Sequence, residues 1–182
     1  MNNRKIACIF AGQGAQYTGM GKDFFDSNPK SRAMFEEANE ILGFDIAKLC
    51  FEGPDSELVR SEVCQPAIFL VSTACFNAFI EKTSEPDFAG FAGLSLGEWS
   101  ALHAAGAISF EDCLKALAAR GRFMQEACDE RPGAMLSIIG MSDENIVELA
   151  KASGSSIANL NSPGQTVLSG KKEAIAKAQD MA

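Results

Sequence analysis

The spacing of apolar residues predicts a strand, two helices and a second strand in the first half of the chain. The apolar run Lys5–Phe10 has the length of a strand and ends in a polar, glycine-rich turn. The pair Asn28–Pro29 is typical of a helix start, apolar residues follow at helical spacing, and Gly43 ends that helix. Residues Gln65–Ile80 are mostly apolar and predict a long buried helix, and Phe88–Gly93 predict a short strand.

The sequence predicts where the long helix ends and two further helices after the second strand. The polar segment Ser84–Asp87 should end the long buried helix. A helix is predicted at Leu96–Ala105, directly after the second strand. The segment Ser109–Asp112 has the pattern of a capping box and predicts a helix that runs to about residue 128. The break Arg131–Gly133 then ends the first part of the chain.

The remaining residues predict a smaller unit of two helices and three strands. We expect strands at Ala134–Ile139, 156–160 and 165–169, with helices after Ser142 and from Lys171 to Met181. The order β-α-β-β-α is that of a ferredoxin-like unit without its last strand. We therefore expect two domains, residues 1–132 and an incomplete unit at 133–182, in a chain that is a fragment of a longer protein.

Composition and charge narrow the class of protein. The 182 residues are 47% hydrophobic and 22% charged, which is ordinary globular usage. A net charge of −8 argues against a nucleic-acid surface, and the sequence has no run of 18 apolar residues, so we expect no membrane span. The six cysteines form no C-x-x-C pair and the chain has one histidine, so we expect reduced thiols, no metal site and a cytoplasmic location.

The segment Gly93–Gly97 carries the most specific chemical signal. It matches G-x-S-x-G between a predicted strand and a predicted helix, which is the context of a nucleophile elbow. In that interpretation Ser95 is the nucleophile and the N–H of Leu96 is half of an oxyanion hole. Gln13 follows the first strand and would face Ser95 across the same edge of a parallel sheet. The alternative is a glycine-rich turn that only packs.

Two other side chains, His103 and Arg120, are candidates for a general base and for a residue that binds a substrate carboxylate. His103 lies eight residues after Ser95 on the same predicted helix, about 12 Å along its axis at 1.5 Å per residue. That separation is too long for a general base, so we predict a packing role for His103. Arg120 could bind a substrate carboxylate through two hydrogen bonds, but a solvated or salt-bridged helix arginine is the alternative and is favoured by the residues alone.

Five motifs in order identify the family that this sequence resembles. The motifs are Ile9–Gln16, Gly93–Glu98, Arg120–Gln125, Gly133–Met135 and Asn159–Gln165. Together they closely resemble the malonyl-CoA:acyl carrier protein transacylases of bacterial fatty-acid synthesis. Acyltransferase domains of polyketide synthases share the same motifs.

The resemblance implies a fold and a reaction. The expected fold is α/β, with a hydrolase-like parallel sheet covered by helices on both faces and an inserted ferredoxin-like subdomain. The expected reaction is a ping-pong transfer in which Ser95 takes the malonyl group from malonyl-CoA and passes it to the pantetheine thiol of acyl carrier protein. No cofactor or metal is implied, and malonyl-CoA and acyl carrier protein are the expected partners.

The resemblance also implies roles for individual residues. Gln13 and the Leu96 N–H match the oxyanion hole of the family. Arg120 matches the arginine that pairs with the malonyl carboxylate. Asn159 and Asn161 fall where the small subdomain of the family turns polar side chains toward the cleft.

Two departures leave alternatives open. This chain has Leu94 where many relatives have histidine, and the catalytic histidine of the family comes later in the chain than Ala182. The 182 residues alone are therefore expected to be poorly active. The alternatives are a polyketide-type acyltransferase with another acyl donor and an inactive fragment that binds coenzyme A or carrier protein.

Overall fold

The computed structural model describes residues 5–83 and 86–182, and the chain divides into two compact units after Gln125. The described residues form both helices and strands. The elements are β1 (Ile6–Phe10), α1 (Lys22–Ser27), α2 (Pro29–Leu42), α3 (Ile46–Glu52), α4 (Asp55–Leu58), α5 (Ser61–Lys82), β2 (Phe88–Gly93), α6 (Leu96–Ala104), α7 (Phe110–Glu130), β3 (Gly133–Ile139), α8 (Asp143–Ser153), β4 (Ser156–Ser162), β5 (Gln165–Lys171) and α9 (Lys172–Met181).

A parallel pair of strands organises the first unit. Strands β1 and β2 run side by side with Phe10 opposite Gly93, so their carboxyl ends lie at the same edge. Alternate residues of β1 are partly buried, and Ile9, which points the other way, is 82% exposed. On the packed side, Phe76 of α5 contacts the rings of Phe10 and Phe91. The parallel pair, connected and covered by helices, confirms the α/β class predicted from the sequence.

Helix α5 is the centre of the first core. Its residues from Val63 to Leu70 are all buried, and Phe69 has no exposed surface. Phe35 of α2 and Leu117 of α7 belong to the same hydrophobic cluster. By length and composition α5 could cross a membrane, but 56% of the relevant stretch is buried inside this fold, so this is weak evidence for a span.

Local capping signals place the helix ends where the sequence predicts them. The side chain of Asn28 accepts hydrogen bonds from the backbone N–H groups of Lys30 and Ser31, at 2.8 and 3.2 Å, and so begins α2. Gly43 ends the same helix with a left-handed backbone at φ 75°. Ser142 caps α8 through its hydroxyl in the same manner as Asn28.

The structure differs from the expected helices in two respects. Helix α5 begins at Ser61 rather than at residue 65 and contains Pro66, which lacks the N–H group that a helix interior needs. Helices α1, α3 and α4 were not predicted, since segments of 6, 7 and 4 residues are too short to establish a helical period. The expected break at Ser84–Asp87 falls partly outside the described residues, which omit positions 84 and 85.

The second unit is a three-stranded antiparallel sheet with two helices. Strand β5 lies in the middle of the order β3-β5-β4, and Leu136 of β3 faces Leu168 of β5. Ile146 of α8 and Ile175 of α9 are buried in one cluster with Leu168. The order β-α-β-β-α is the one that the sequence predicts.

Candidate active site

Ser95 occupies a strained turn between β2 and α6. Its backbone has φ 54° and ψ −98°, and no other non-glycine residue in the described part of the chain has a positive φ. A serine rarely adopts this conformation, because its Cβ crowds the backbone there. The turn is closed by a hydrogen bond of 2.9 Å from the N–H of Gly97 to the carbonyl oxygen of Leu94. This is the strand–turn–helix context that the G-x-S-x-G pattern predicts.

Close backbone contacts explain why this turn contains glycine. A Cβ atom on Gly93 would lie 2.1 Å from the carbonyl carbon of Gly97, and one on Gly97 would lie 2.4 Å from the carbonyl oxygen of Phe10. A Cβ on Gly12, in the turn after β1, would lie 2.9 Å from the carbonyl oxygen of Leu94. The two glycine-rich turns at the carboxyl ends of β1 and β2 are therefore in contact.

Arg120 of α7 reaches the serine directly. Its Nη2 donates a hydrogen bond of 2.7 Å to Ser95 Oγ, and its Nη1 donates one of 2.5 Å to Gln65 Oε1. By contrast, the guanidinium of the neighbouring Arg122 lies 5.0 Å from the ring centre of Phe123. The structure thus brings together the serine and the arginine that the sequence singled out, 25 residues apart in the chain.

The two residues expected at the oxyanion hole lie on the two neighbouring turns. Leu96 is the first residue of α6, and the N–H groups of the first helical turn have no partner within the helix. The side chain of Leu96 is buried. The side chain of Gln13 is turned toward α5, where its Nε2 lies 3.4 Å from Ser61 Oγ. The backbone N–H of Ser61 in turn donates a hydrogen bond of 3.3 Å to Gln125 Oε1.

His103 is half-buried and has a packing role, as its spacing predicts. Its Nδ1 lies 3.0 Å from the carbonyl oxygen of Ile108, and its ring lies 5.4 Å from the ring of Phe69 and 6.0 Å from the ring of Phe110. The two phenylalanine rings are apolar, and the contact between His103 Nδ1 and the carbonyl oxygen of Ile108 closes the turn after α6. The imidazole is therefore engaged in holding α6 to the following loop.

Asn159 and Asn161 lie on β4 in the second unit. Asn159 faces Val167 of β5, and Asn161 falls between the paired residues Leu160 and Ser162, where the register shifts. Asn161 is exposed and Asn159 is half-buried. An edge strand with such an irregularity can turn polar side chains away from the regular ladder.

Sequence reasoning missed Gln65. Its side chain has no exposed surface, and its amide oxygen accepts the second hydrogen bond of Arg120. Its amide nitrogen lies 3.3 Å from Met124 Sδ, one turn further along α7 than Arg120. A signal was available in the sequence, namely one amide side chain within a mostly apolar helix. A buried polar group needs a hydrogen-bond partner, so this amide indicates a polar contact inside the core.

The cysteines do not contribute to this site. Burial raises the pKa of the thiols of Cys50 and Cys113 to about 12 and that of Cys64 to about 11. In the described residues, all six cysteines are free and no group of three or more His, Cys, Asp or Glu side chains could hold a metal ion.

Comparisons with known proteins place the chain among acyltransferases. It is 42% identical over 183 aligned residues to a malonyl CoA-acyl carrier protein transacylase of Bacillus subtilis, covering 98% of this chain and 57% of that protein. The crystal structure of a malonyl CoA-acyl carrier protein transacylase from Clostridium perfringens superimposes with a TM-score of 0.87 at 42% identity, over 98% of this chain and 57% of that one.

A second solved structure resembles the chain equally closely. It is a malonyl-transacylase in complex with a type II PKS acyl-carrier protein, with a TM-score of 0.87, 39% identity, and coverage of 97% of this chain and 58% of that one. The chain thus spans somewhat more than half the length of these three relatives. Because residues 7–180 match the family described as acyl transferase domain, the chain belongs to that family.

Proposed function

We propose that this chain is part of a malonyl transferase in which Ser95 carries the acyl group. The observation that carries the proposal is the hydrogen bond of 2.7 Å from Arg120 Nη2 to the hydroxyl of a serine in a strained turn directly before α6. Such a serine is exposed to a substrate on a rigid turn, and a cation at its oxygen can bind a carboxylate next to the reacting bond.

The proposed reaction has two steps through a covalent intermediate. In the first, Ser95 Oγ attacks the carbonyl carbon of malonyl-CoA, the carbon–sulfur bond breaks, and the coenzyme leaves as a thiol with the proton of the serine. In the second, a pantetheine thiol attacks the ester carbonyl carbon, a carbon–sulfur bond forms, the carbon–oxygen bond to Ser95 breaks, and the proton of the thiol goes to Ser95 Oγ. The N–H of Leu96, at the start of α6, would stabilise the oxyanion that forms in both steps. Gln13, on the turn that contacts the Ser95 turn, is proposed as the second part of that hole.

Arg120 supports the choice of a malonyl group over a simple acyl group. A malonyl ester on Ser95 places a free carboxylate one methylene group beyond the ester carbonyl. A guanidinium already within hydrogen-bond distance of the ester oxygen is in reach of that carboxylate. An acetyl ester has no such group, so Arg120 would favour malonyl donors. The named relatives, which are malonyl transacylases, support the same choice and support acyl carrier protein as acceptor.

The general base is proposed to come from another part of the protein. Arg120 has no acceptor atom for the proton of Ser95. His103 is held by Ile108 and two aromatic rings. We propose that the base is a histidine outside these 182 residues, as the resemblance to longer relatives implies; the chain covers 57% of the length of one such relative.

A polyketide-type acyltransferase is the second candidate. One solved relative is a malonyl-transacylase in complex with a type II PKS acyl-carrier protein, which supports a polyketide assignment for this fold. Both candidates share the serine and the arginine, and they differ in the acyl donor, which in the second candidate is an acyl group other than malonyl.

We also propose the domain division and the cellular location. Residues 1–132 are proposed as the acyltransferase domain and 133–182 as a ferredoxin-like subdomain whose Asn159 and Asn161 contact the substrate. The separate hydrophobic cores of the two units support the division. The free thiols, which include the exposed Cys75 and Cys128, support a cytoplasmic protein, because reducing compartments keep cysteines as thiols.

Intact mass spectrometry tests the proposal on the protein that contains this chain. After mixing with malonyl-CoA we expect a malonyl adduct that maps to Ser95 and disappears in Ser95→Ala. Arg120→Ala should retain the adduct with acetyl-CoA and lose the preference for malonyl-CoA. The matched control is Arg122→Ala, since that neighbouring guanidinium lies over Phe123 instead. An adduct on another residue, or an unchanged preference in Arg120→Ala, contradicts the proposal.

A further inference from the structure

We infer that Gln65 is a positioning residue that sets donor specificity, because it fixes the Arg120 guanidinium at Ser95 without neutralising its charge. This inference deepens the proposed function and depends on it for the identity of the donor. It concerns a side chain that touches neither the serine nor, in the proposed reaction, the substrate.

The first argument is geometric. The two terminal nitrogens of Arg120 are engaged at once, Nη1 with Gln65 Oε1 at 2.5 Å and Nη2 with Ser95 Oγ at 2.7 Å. A guanidinium is a rigid plane, so two hydrogen bonds to separate elements define both its position and its orientation. Without the bond to Gln65 the group could rotate about its long side chain, which has several freely rotating bonds.

The second argument is that the amide itself cannot move. Gln65 has no exposed surface, and its Nε2 lies 3.3 Å from Met124 Sδ. Arg120 and Met124 are four residues apart on α7, so they lie on the same face of that helix. The amide is held between them with its oxygen toward the cation. A reversed amide would set its N–H groups against those of the guanidinium and its oxygen against the sulfur of Met124, so that neither side would keep a donor–acceptor pair.

The third argument concerns charge. A buried arginine is often held by a carboxylate, which cancels its charge. Here the described acceptors of the guanidinium are an amide oxygen and a hydroxyl oxygen, both neutral. The full positive charge of Arg120 therefore remains available to a carboxylate on the substrate. Glutamine at position 65 gives orientation and leaves the attraction intact, whereas glutamate would compete with the substrate for the same cation.

Two substitutions separate orientation from charge. Gln65→Met keeps the size and removes the acceptor, and we expect kcat/KM with malonyl-CoA to fall about 10- to 100-fold, the range for losing one hydrogen bond to a charged group. Transfer from acetyl-CoA, which does not use the cation, should change less than about threefold on the same principle. Gln65→Glu should keep Arg120 ordered and still lose the preference for malonyl-CoA.

The matched control is Thr73→Val on the same helix. Thr73 is also buried, lies eight residues from Gln65, about 12 Å along α5, and is isosteric with valine. It should change neither the donor preference nor the order of Arg120. Thermal unfolding of every variant identifies any loss that comes from the fold alone.

Guanidinium NMR signals of Arg120 provide a readout that does not depend on the reaction. We expect slow rotation about the guanidinium bonds in the unmodified protein, in Thr73→Val and in Gln65→Glu, and fast rotation in Gln65→Met. The inference is overturned if Gln65→Met leaves those signals slow, or if it lowers transfer from both donors by one common factor. Failure of the proposed function has a different signature, namely no adduct at Ser95 in the unmodified protein, and the NMR comparison still tests the positioning role in that case.

Discussion

Gly121→Ala tests whether the contact between α5 and α7 builds the site. Gly121 follows Arg120 on α7, and a Cβ atom there would lie 2.3 Å from the carbonyl oxygen of Ser61 and 2.8 Å from the Cα of Glu62. An ordinary contact needs about 3.4 Å, so the two helices would have to separate by about 1 Å. Both opposing atoms belong to the backbone and cannot rotate aside.

The expected cost combines two opposing effects. Overpacking of this kind costs about 1–3 kcal/mol, and a clash with backbone belongs at the upper end of that range. Alanine in a helix interior returns about 1 kcal/mol relative to glycine. We therefore expect the free energy of unfolding to fall by about 2 kcal/mol. Moving α7 by about 1 Å would also lengthen the bond of 2.7 Å between Arg120 and Ser95 beyond hydrogen-bond distance.

Trp99 provides a local assay for this prediction. It is the single tryptophan of the chain and packs against the core of the first unit, so its fluorescence follows unfolding of that unit in urea. Ala119→Gly is the matched control, since it should cost about 1 kcal/mol by helix propensity while leaving the helix contact unchanged. The reasoning is refuted if Gly121→Ala is as stable as the unmodified protein, or if it keeps the donor preference that Arg120 is proposed to confer.

Three further predictions concern stability. The folded-state pKa values of Cys50 and Cys113, raised to about 12 by burial, lie above the usual thiol value of 9.0, so the stability from these neutral thiols should be complete below pH 9 and be lost as the pH rises toward 12. Urea unfolding should show no slope from these thiols below pH 9 and a slope that approaches about 1.4 kcal/mol per pH unit per thiol between pH 9 and 11; the slope should be smaller in Cys113→Ala, and an equal slope in both proteins would contradict this. Asn28→Ala should lower the free energy of unfolding by about 1 kcal/mol in the same assay through loss of the α2 cap, and an unchanged value would show that the cap is not used. Ser100→Ala should leave stability unchanged or raise it by up to about 1 kcal/mol, because Ser100 Oγ is buried without a partner among the described residues, whereas a loss above 1 kcal/mol would indicate a bond to that oxygen.

Signals within a few residues of one another were readable from the sequence. The ends of α2 follow from Asn28 and Gly43, and the turn at Ser95 follows from two glycines and a strand–helix boundary. Helix α3 has a local capping residue, Asp45, but is only 7 residues long and depends on burial of side chains such as Ile46. Such burial is a property of the folded core and does not appear as a period in so short a segment.

Contacts between distant segments were beyond sequence reasoning. Arg120 was a candidate by resemblance, yet the residues alone favoured a solvated side chain, because nothing local shows which face of α7 meets the serine. Gln65 is 55 residues from Arg120, and the bond between them depends on the distance between two helix axes. Gly121 allows the short distance between the two helices, because a Cβ atom there would clash with the carbonyl oxygen of Ser61. The sequence alone does not show that Ser61 lies opposite Gly121.

The candidate site therefore lies where backbones approach without intervening side chains. Gly97 brings α6 against the end of β1, and Gly121 brings α7 against the start of α5. The first approach holds Ser95 at its turn, and the second places Arg120 beside it with Gln65 behind. A substitution that adds one methyl group at either glycine leaves every proposed chemical group present but moves these groups apart. Reacting groups need placement to within about half an ångström, so such a shift should impair the transfer. Since packing at these glycines sets the geometry of the transfer, donor preference should follow helix spacing as well as the identity of the charged residue.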